Sequence, residues 1–255
     1  MGLYGDFYPG KERGAVIDLH CHILPGIDDG SDSPDTSCRM AAMAADCGVR
    51  RIIATPHCNN RGMPPNLRSA ELMRAFRQLQ AELDHWGIPV RILPGCELLA
   101  RDNLEELLQK ELVLTLNGSR YLLVEFYFDE LPGTISRRLD TVFDAGLVPV
   151  VAHPERYYCV QDRPELAELW AERGCLLQVN KGSILGSLGE GAYETAALLL
   201  RREQAAVIAS DAHHFRRRTT DLSPLLRALD RRFPALDPEL LLERNPAKIV
   251  HNLAF

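Results

Sequence analysis

The first place in the chain where side chains could do chemistry is Asp18-Leu19-His20-Cys21-His22. Residues two apart on a strand point the same way, so His20 and His22 would aim two imidazoles at one point, which suits a metal ion. Taken alone the motif is weak, because His-x-His arises by chance and an isolated histidine is more often a satisfied polar residue than a ligand. The rest of the chain changes that balance. One apolar run after another leads into a metal-ligand residue type: Thr55-Pro56-His57, Pro94-Gly95-Cys96-Glu97, then Glu125, His153 and Asp211-Ala212-His213. Asp28-Asp29-Gly30 follows the first run closely. It reads either as a local Asx turn or as a carboxylate folded back over the site, and its place right after His-x-His favours the second.

The donors are imidazole and carboxylate without thiolate, a set that suits Mn²⁺, Fe²⁺ or Zn²⁺ in a reactive centre better than a structural zinc. Several such ions close together can activate water and clamp the oxygens of a phosphoryl group. Arg156, three residues after His153, suits bidentate phosphate binding from a loop. The run Arg216-Arg217-Arg218 has two readings, a solvated basic stretch or a loop from which Arg218 reaches back to the phosphate.

These residues need a scaffold that brings distant segments to one place. Seven short apolar runs, at 15–19, 51–55, 89–93, 121–125, 148–152, 176–180 and 206–210, are rich in β-branched residues and nearly continuous in hydrophobicity. That is the pattern of strands buried on both faces. Helix signals separate them. Ser33-Pro34 offers an N-cap and a Pro at the first helical position, with Gly48 as the stop. Asn66 and Gly87 bracket the next helix, Gly146 and Gly174 end two more, and Asn245-Pro246 starts a last short one. Repeated βα units imply a parallel sheet, and seven of them predict an α/β fold, a single closed or slightly distorted (β/α)7 barrel. In such barrels the active site lies at the C-terminal strand ends, where six of the seven runs carry a ligand type. Nothing resembling GxGxxG or GxxxxGK follows a strand, so the nucleotide-binding open sheets lose support.

Composition narrows the function further. Among 255 residues, 46% are hydrophobic and 25% charged, ordinary for a globular protein with a full core. A formal net charge of -6 argues against non-specific nucleic-acid binding. No apolar stretch approaches the ~18 residues of a membrane helix, and the first residues lack the apolar core of a secretory signal. The expectation is therefore a cytoplasmic protein without membrane insertion. The seven cysteines form no CxxC pair, which fits reduced thiols. None has an Arg six positions later, so the CxxxxxR loop of cysteine-based phosphatases is absent. His85 and His251 read as surface or packing residues, His214 should point away from the site, and Cys21 and Cys58 read as packing.

The motifs DLHCHILPGIDDG, ATPHCN, PGCEL, YLLVEF, VVAHPERY, ASDAHH and NPAKIV, in this order, resemble the PHP (polymerase and histidinol phosphatase) superfamily. Within it, the chain resembles the bacterial capsule-type tyrosine phosphatases of the CpsB/YwqE-like group. The resemblance runs from Ile17 almost to the end. It implies a metallophosphoesterase barrel over residues 15–255 of the distorted TIM-like PHP fold, and leaves 1–14 as an N-terminal extension. It also implies about three divalent ions, manganese ahead of iron or zinc. One would take His20, His22, Glu97 and Asp211, a second Glu97, Glu125 and His153, and a third Asp29, His57 and His213. Arg156 and Arg218 would bind phosphate, although the family's Arg-Pro is here Arg218-Thr219. The implied substrate is the phosphotyrosyl tail of a bacterial tyrosine kinase that controls capsule or exopolysaccharide synthesis. Competing readings are a small-molecule phosphatase such as a histidinol-phosphatase, a PHP-type nuclease, and a regulatory domain without catalysis. The polar loop 58–65 is expected at the site mouth, and homo-oligomerisation is left open. Tyr127 and Phe128 are read either as core packing or as an aromatic wall for the phosphotyrosine ring.

Overall fold

The structure, a computed structural model, describes residues 15–255; the expected N-terminal extension, 1–14, lies outside the described residues. The strands are β1 (Val16–Cys21), β2 (Val49–Ala54), β3 (His57–Cys58), β4 (Arg91–Pro94), β5 (Glu97–Leu99), β6 (Tyr121–Glu125), β7 (Val148–Ala152), β8 (Leu176–Asn180) and β9 (Val207–Ala209). All their pairings are parallel. They form two sheets, in the orders β1-β2-β4 and β3-β5-β6-β7-β8-β9. Nine strands replace the expected seven runs because two of the runs are broken. Pro56 separates β2 from β3, and Gly95 follows Pro94 between β4 and β5. A proline has no N–H to give a ladder. At Gly95 a side chain would press on Ile53 Cγ2 at 2.7 Å. Backbone bonds carry the chain across the breaks, from Thr55 N to Cys21 O (3.0 Å) and from Glu97 N to Pro56 O (3.1 Å). The first and last strands also meet, through a parallel bridge between Cys21 and Ala212 and a bond from Asp211 N to His20 O (2.8 Å).

Helices follow the strands much as the turn residues dictate. The helix Pro34–Asp46 has Ser33 accepting from the Thr36 amide, a local bond that satisfies one orphan donor of the first turn. The next helix differs from expectation. It runs Ala70–His85 with Ser69 as its cap, so Asn66 does not open it. Asn66 instead stands in the left-handed region (φ 45°). Its side-chain amide donates to Ile27 O (3.2 Å) and His57 O (2.8 Å), tying two loops of the site mouth together.

The apolar core lies in two clusters. The larger packs the strands against the helices. The smaller is made by alternate strand residues, among them Ile17, Leu19, Tyr121, Leu123, Val150, Ala152, Leu176 and Val207. Continuing that alternation up β6 and β8 leads from Leu123 to Glu125 and from Leu176 to Gln178 and Asn180. The polar site thus sits on the C-terminal edge of the small cluster. In β1 the register shifts between Asp18 and Cys21. This irregularity lets His20 and His22 face the site although Ile17 and Leu19 face the small cluster.

Candidate metal centre

All nine residues expected as ligands lie together at the C-terminal strand ends. His20 and His22, both fully buried, bring their Nε2 atoms to 3.2 Å from each other. Glu97 reaches both, at 3.2 and 3.3 Å, and Asp211 Oδ1 lies at 3.6 and 3.4 Å from them. His153 Nε2 is 2.9 Å from Glu97 and 3.6 Å from Glu125. His57 Nδ1 is 2.9 Å from Glu97 and 3.8 Å from Glu125, while its Nε2 is 3.4 Å from Asp29. His213 Nε2 completes the group at 3.5 Å from Asp29.

The donor atoms fall into three overlapping groups tight enough for one cation each: His22, Asp29, His57 and His213; His20, His22 and Glu97; His57, Glu97 and Glu125. His22 and His57 each appear twice, so these groups are less separate than the three sets implied by the family resemblance. Asp211 and His153 join through their contacts with the first two histidines, Glu97 and Glu125.

Hydrogen bonds fix which ring nitrogens carry lone pairs. A carboxylate only accepts, so the Asn180 amide must donate to Asp211 Oδ2 (2.5 Å). The Asn180 oxygen then accepts from Gln178 Nε2 (2.8 Å), and the Gln178 oxygen is left to accept from His20 Nδ1 (2.8 Å). The same logic makes His22 Nδ1 donate to Asp28 Oδ2 (2.7 Å). With each Nδ1 donating, the neutral form of each ring has its lone pair on Nε2, and both Nε2 atoms face one space walled by carboxylates, which favours a positive charge there, whether a proton or a shared metal cation. Nearby, Glu97 Oε2 and His213 Nε2 are buried without a well-directed hydrogen bond. These observations fit divalent metal ions.

The charges press on one another. Burial pulls the His20 imidazole down, but Glu97 and Asp211 beside it bring it up to about 8. Burial and the neighbouring Glu97 push Glu125 up to about 8, whereas burial takes His153 down to about 4. Burial opposes ionisation of Glu97, yet His20 and His57 hold it well below the usual carboxylate range. Backbone strain is stored in the same place. His153 (φ 33°) and Asp211 (φ 47°) both sit in the left-handed region, at a cost of roughly 1–3 kcal/mol each that the surrounding contacts must offset.

Sequence reasoning missed four supporting residues. Gln178 and Asn180 lie on the one strand that ends in no ligand type; the available signal was two amides two apart on an otherwise apolar buried strand. Asp28 was grouped with Asp29 but has a separate task. Its carboxylate accepts from His22 Nδ1, from Gly30 N (3.0 Å) and from His57 N (2.9 Å). Gly30 is required there, because a Cβ would fall 2.2 Å from His22 O. Asp18, buried, accepts from the Ser210 amide (3.0 Å) and hydroxyl (2.5 Å) and so pins β1 beside the end of β9.

Both arginines converge on Asp211 Oδ2, Arg218 Nη2 at 2.7 Å and Arg156 Nη1 at 3.6 Å. Arg156 also lies over the Phe128 ring, 4.3 Å from its centroid. Phe128 is half-buried and touches His153, while Tyr127 is exposed. His214 is not directed away as expected. It borders the cleft beside Asp29 and His213 and stacks on Phe215 at 4.4 Å. His85 and His251 are exposed. Burial raises the thiols of Cys21, Cys38, Cys47, Cys159 and Cys175, and the adjacent Cys96 together with burial raises Cys58.

Comparison with known proteins agrees with this geometry. Residues 16–251 match the family model for capsular polysaccharide synthesis, CpsB/CapC. The tyrosine-protein phosphatase YwqE of Bacillus subtilis (strain 168) is 36% identical over 228 residues, covering 89% of each chain. A crystal structure from the pair YwqE of Bacillus subtilis and CpsB of Streptococcus pneumoniae, described as unique metal-dependent tyrosine phosphatases, superimposes with a TM-score of 0.86. It shares 33% identity and covers 94% of this chain and 96% of that one. The phosphotriesterase homology protein of Escherichia coli, complexed with phosphate, shares the fold alone at 13% identity. Its TM-score is 0.59, over 93% of this chain and 98% of that one.

Proposed function

This chain belongs to the CpsB/CapC capsular polysaccharide synthesis family, and from that premise we propose that it is a metal-dependent phosphotyrosine-protein phosphatase. Its substrate is the phosphotyrosyl tail of a bacterial tyrosine kinase that controls capsule or exopolysaccharide synthesis. The observation that carries the reading is the pair of Nε2 atoms of His20 and His22, 3.2 Å apart and walled by Glu97 and Asp211. The nine residues His20, His22, Asp29, His57, Glu97, Glu125, His153, Asp211 and His213 would hold about three ions, with manganese preferred. When bound, these ions supply activation of water and neutralisation of the phosphoryl oxygens.

The remaining work belongs to the chain itself. Arg156 and Arg218 swing from Asp211 to the phosphate oxygens and orient the group by charge-assisted bonds. Phe128 holds the Arg156 guanidinium from below. Water attacks phosphorus in line, the P–O bond to the phenol breaks, and phosphate and the tyrosine hydroxyl are released. A phenol has a pKa of about 10, so the phenolate leaves with less acid assistance than an alkoxide. The thiols take no part, since the CxxxxxR loop of cysteine-based phosphatases is missing and burial disfavours the thiolates of Cys21, Cys38, Cys47, Cys58, Cys159 and Cys175. Residues 15–255 act as one unit, a distorted (β/α)7 barrel in the cytoplasm. The Cys21–Ala212 bridge and the bonds across Pro56 support its closure.

The test compares kcat/KM for a phosphotyrosyl peptide, a phosphoseryl peptide and histidinol phosphate with Mn²⁺ present. The phosphotyrosyl peptide should lead. A tenfold lead for histidinol phosphate, about 1.4 kcal/mol of transition-state stabilisation, would replace this reading with small-molecule phosphatase.

A further inference from the structure

Two arginines at the mouth of the site are used by none of the chemistry above. Arg216 and Arg217 are exposed. Their contacts among the described residues are slight. The Arg216 amide donates to His214 Nδ1 (3.0 Å), and its guanidinium lies 5.2 Å from the Phe215 ring centroid. Neither side chain faces a carboxylate within ion-pair distance among the described residues, whereas Arg218 beside them does.

Their position gives them a direction. Both line a hollow of about 540 Å³ that takes in Asp29 and His213 of the metal centre. Both also line a second hollow, of about 180 Å³, that takes in Asp211 and Arg218. They therefore form the ridge between two ways out of the site. The one other carboxylate on the larger hollow that the centre does not use is Asp32, and it already accepts from Thr36 and Ser33. The other two carboxylates of the larger hollow, Asp28 and Asp29, face His22 and the His57 and His213 rings, and the smaller hollow sets Lys181, Arg216, Arg217 and Arg218 against Asp211 and Asp221, a local positive surplus on a chain whose total is -6.

The loop that presents them is pinned. His213 N donates to Arg218 O (2.9 Å), and the buried Lys181 ammonium donates to the carbonyls of Thr219 and Asp221. Phe215 is held between Arg39 and Arg216, at 5.0 and 5.2 Å. A solvated basic run is the ordinary fate of three consecutive arginines. A pinned loop at the lip of an anion-binding centre is different, because little backbone entropy is lost when a ligand arrives.

We infer that Arg216 and Arg217 form a subsite for a second anionic group of the substrate, the carboxylate of an Asp or Glu close to the phosphotyrosine in an acidic peptide. This rests on the phosphotyrosine reading of the site and specifies which peptides it takes. An exposed ion pair is worth a factor of about two to five, so two acting together give a preference on the order of tenfold in kcat/KM.

The experiment uses the metal-loaded enzyme and three substrates: p-nitrophenyl phosphate, a phosphotyrosyl peptide with Asp and Glu flanks, and the same peptide with Asn and Gln flanks. Wild type should prefer the acidic peptide about tenfold. The preference should fade in 1 M salt, where the Debye length falls to about 3 Å. The double variant R216Q/R217Q should treat the two peptides alike while keeping its rate on p-nitrophenyl phosphate. Equal rates on both peptides in wild type, or an undiminished preference in the double variant, would overturn the subsite. So would a parallel loss on p-nitrophenyl phosphate, which would put the arginines in the phosphate site. Turnover of p-nitrophenyl phosphate with neither peptide hydrolysed would instead defeat the phosphotyrosine reading itself, and the subsite with it.

Discussion

Replacing Gln178 by Met tests the relay that orients His20. Met matches Gln in length but offers no amide, so the change leaves the shape and removes two hydrogen bonds: His20 Nδ1 to Gln178 Oε1, and Gln178 Nε2 to Asn180 Oδ1, both 2.8 Å. All three residues are completely buried, so water cannot replace the lost partners. Each orphaned group costs about 1–3 kcal/mol, and together they should lower the melting temperature of the metal-free protein. The larger effect is on the metal. Without its partner the imidazole is free to flip or to carry its proton on Nε2, which removes one lone pair from the shared space. Losing such a support costs about 10- to 100-fold in metal affinity, or about 1.4–2.8 kcal/mol. Competition against a graded series of chelators reads that affinity directly, and Gln178→Glu, which can still accept from His20, should lose less. If Gln178→Met binds metal within twofold of wild type, the relay does not orient His20 and the tautomer argument is wrong.

Further outcomes follow from the same geometry. Arg156→Ala should lower kcat/KM by about 30- to 150-fold, the loss of a charge-assisted contact worth about 2–3 kcal/mol, with metal content unchanged by elemental analysis. Loss of the ions as well would make Arg156 structural. Each of the seven cysteines replaced singly by Ser should retain turnover far above that of His20→Ala, and a trapped phosphocysteine would refute the thiol-free mechanism. Glu155, fully buried with Oε1 accepting from Asn180 N (2.9 Å) and Ser183 Oγ (2.7 Å), is pushed by burial up to about 7. Its folded pKa exceeds the unfolded one, so its stabilising contribution is complete below about pH 4.3 and is lost as pH rises through about 7. The stability of metal-free Glu155→Gln relative to wild type should therefore rise between pH 5 and pH 8, by on the order of 3 kcal/mol. A difference flat with pH would show that Glu155 is not held protonated.

Much of the site was legible because each expected ligand but Asp29 stands at or just past the end of an apolar run, and the C-terminal strand ends are where parallel α/β folds converge. His57 and Glu97 were readable in the same way, even though Pro56 and Gly95 break their strands into pairs, because the breaks redirect the chain without moving it to another neighbour. Asn66 was misread as a helix bracket because Asn is equally good at a cap and at a left-handed turn. Ser69, three residues on, takes the cap, and Asn66 clamps the mouth. Gln178 and Asn180 were invisible because an amide carries no ligand signature, and its role appears only when Asp211, just past the end of the neighbouring strand and bonded to Asn180, fixes the direction of each hydrogen bond in the relay. Asp28 and Asp29 could not be told apart for a similar reason. The close pass of Gly30 over His22 decides which carboxylate turns inward to His22 and which stays half-exposed at the mouth beside His57 and His213.

If the imidazole–carboxylate cluster is a metal centre that acts on phosphotyrosine, its activity must vanish with the metal and return with it. The most direct test is to strip the protein exhaustively with chelator, verify the metal-free state by elemental analysis, and follow hydrolysis of a phosphotyrosyl peptide as Mn²⁺ is returned. Activity should be absent at the start and should rise to saturation with about three ions bound per chain, with His20→Ala unable to recover it. Full turnover in the verified metal-free protein would contradict the account.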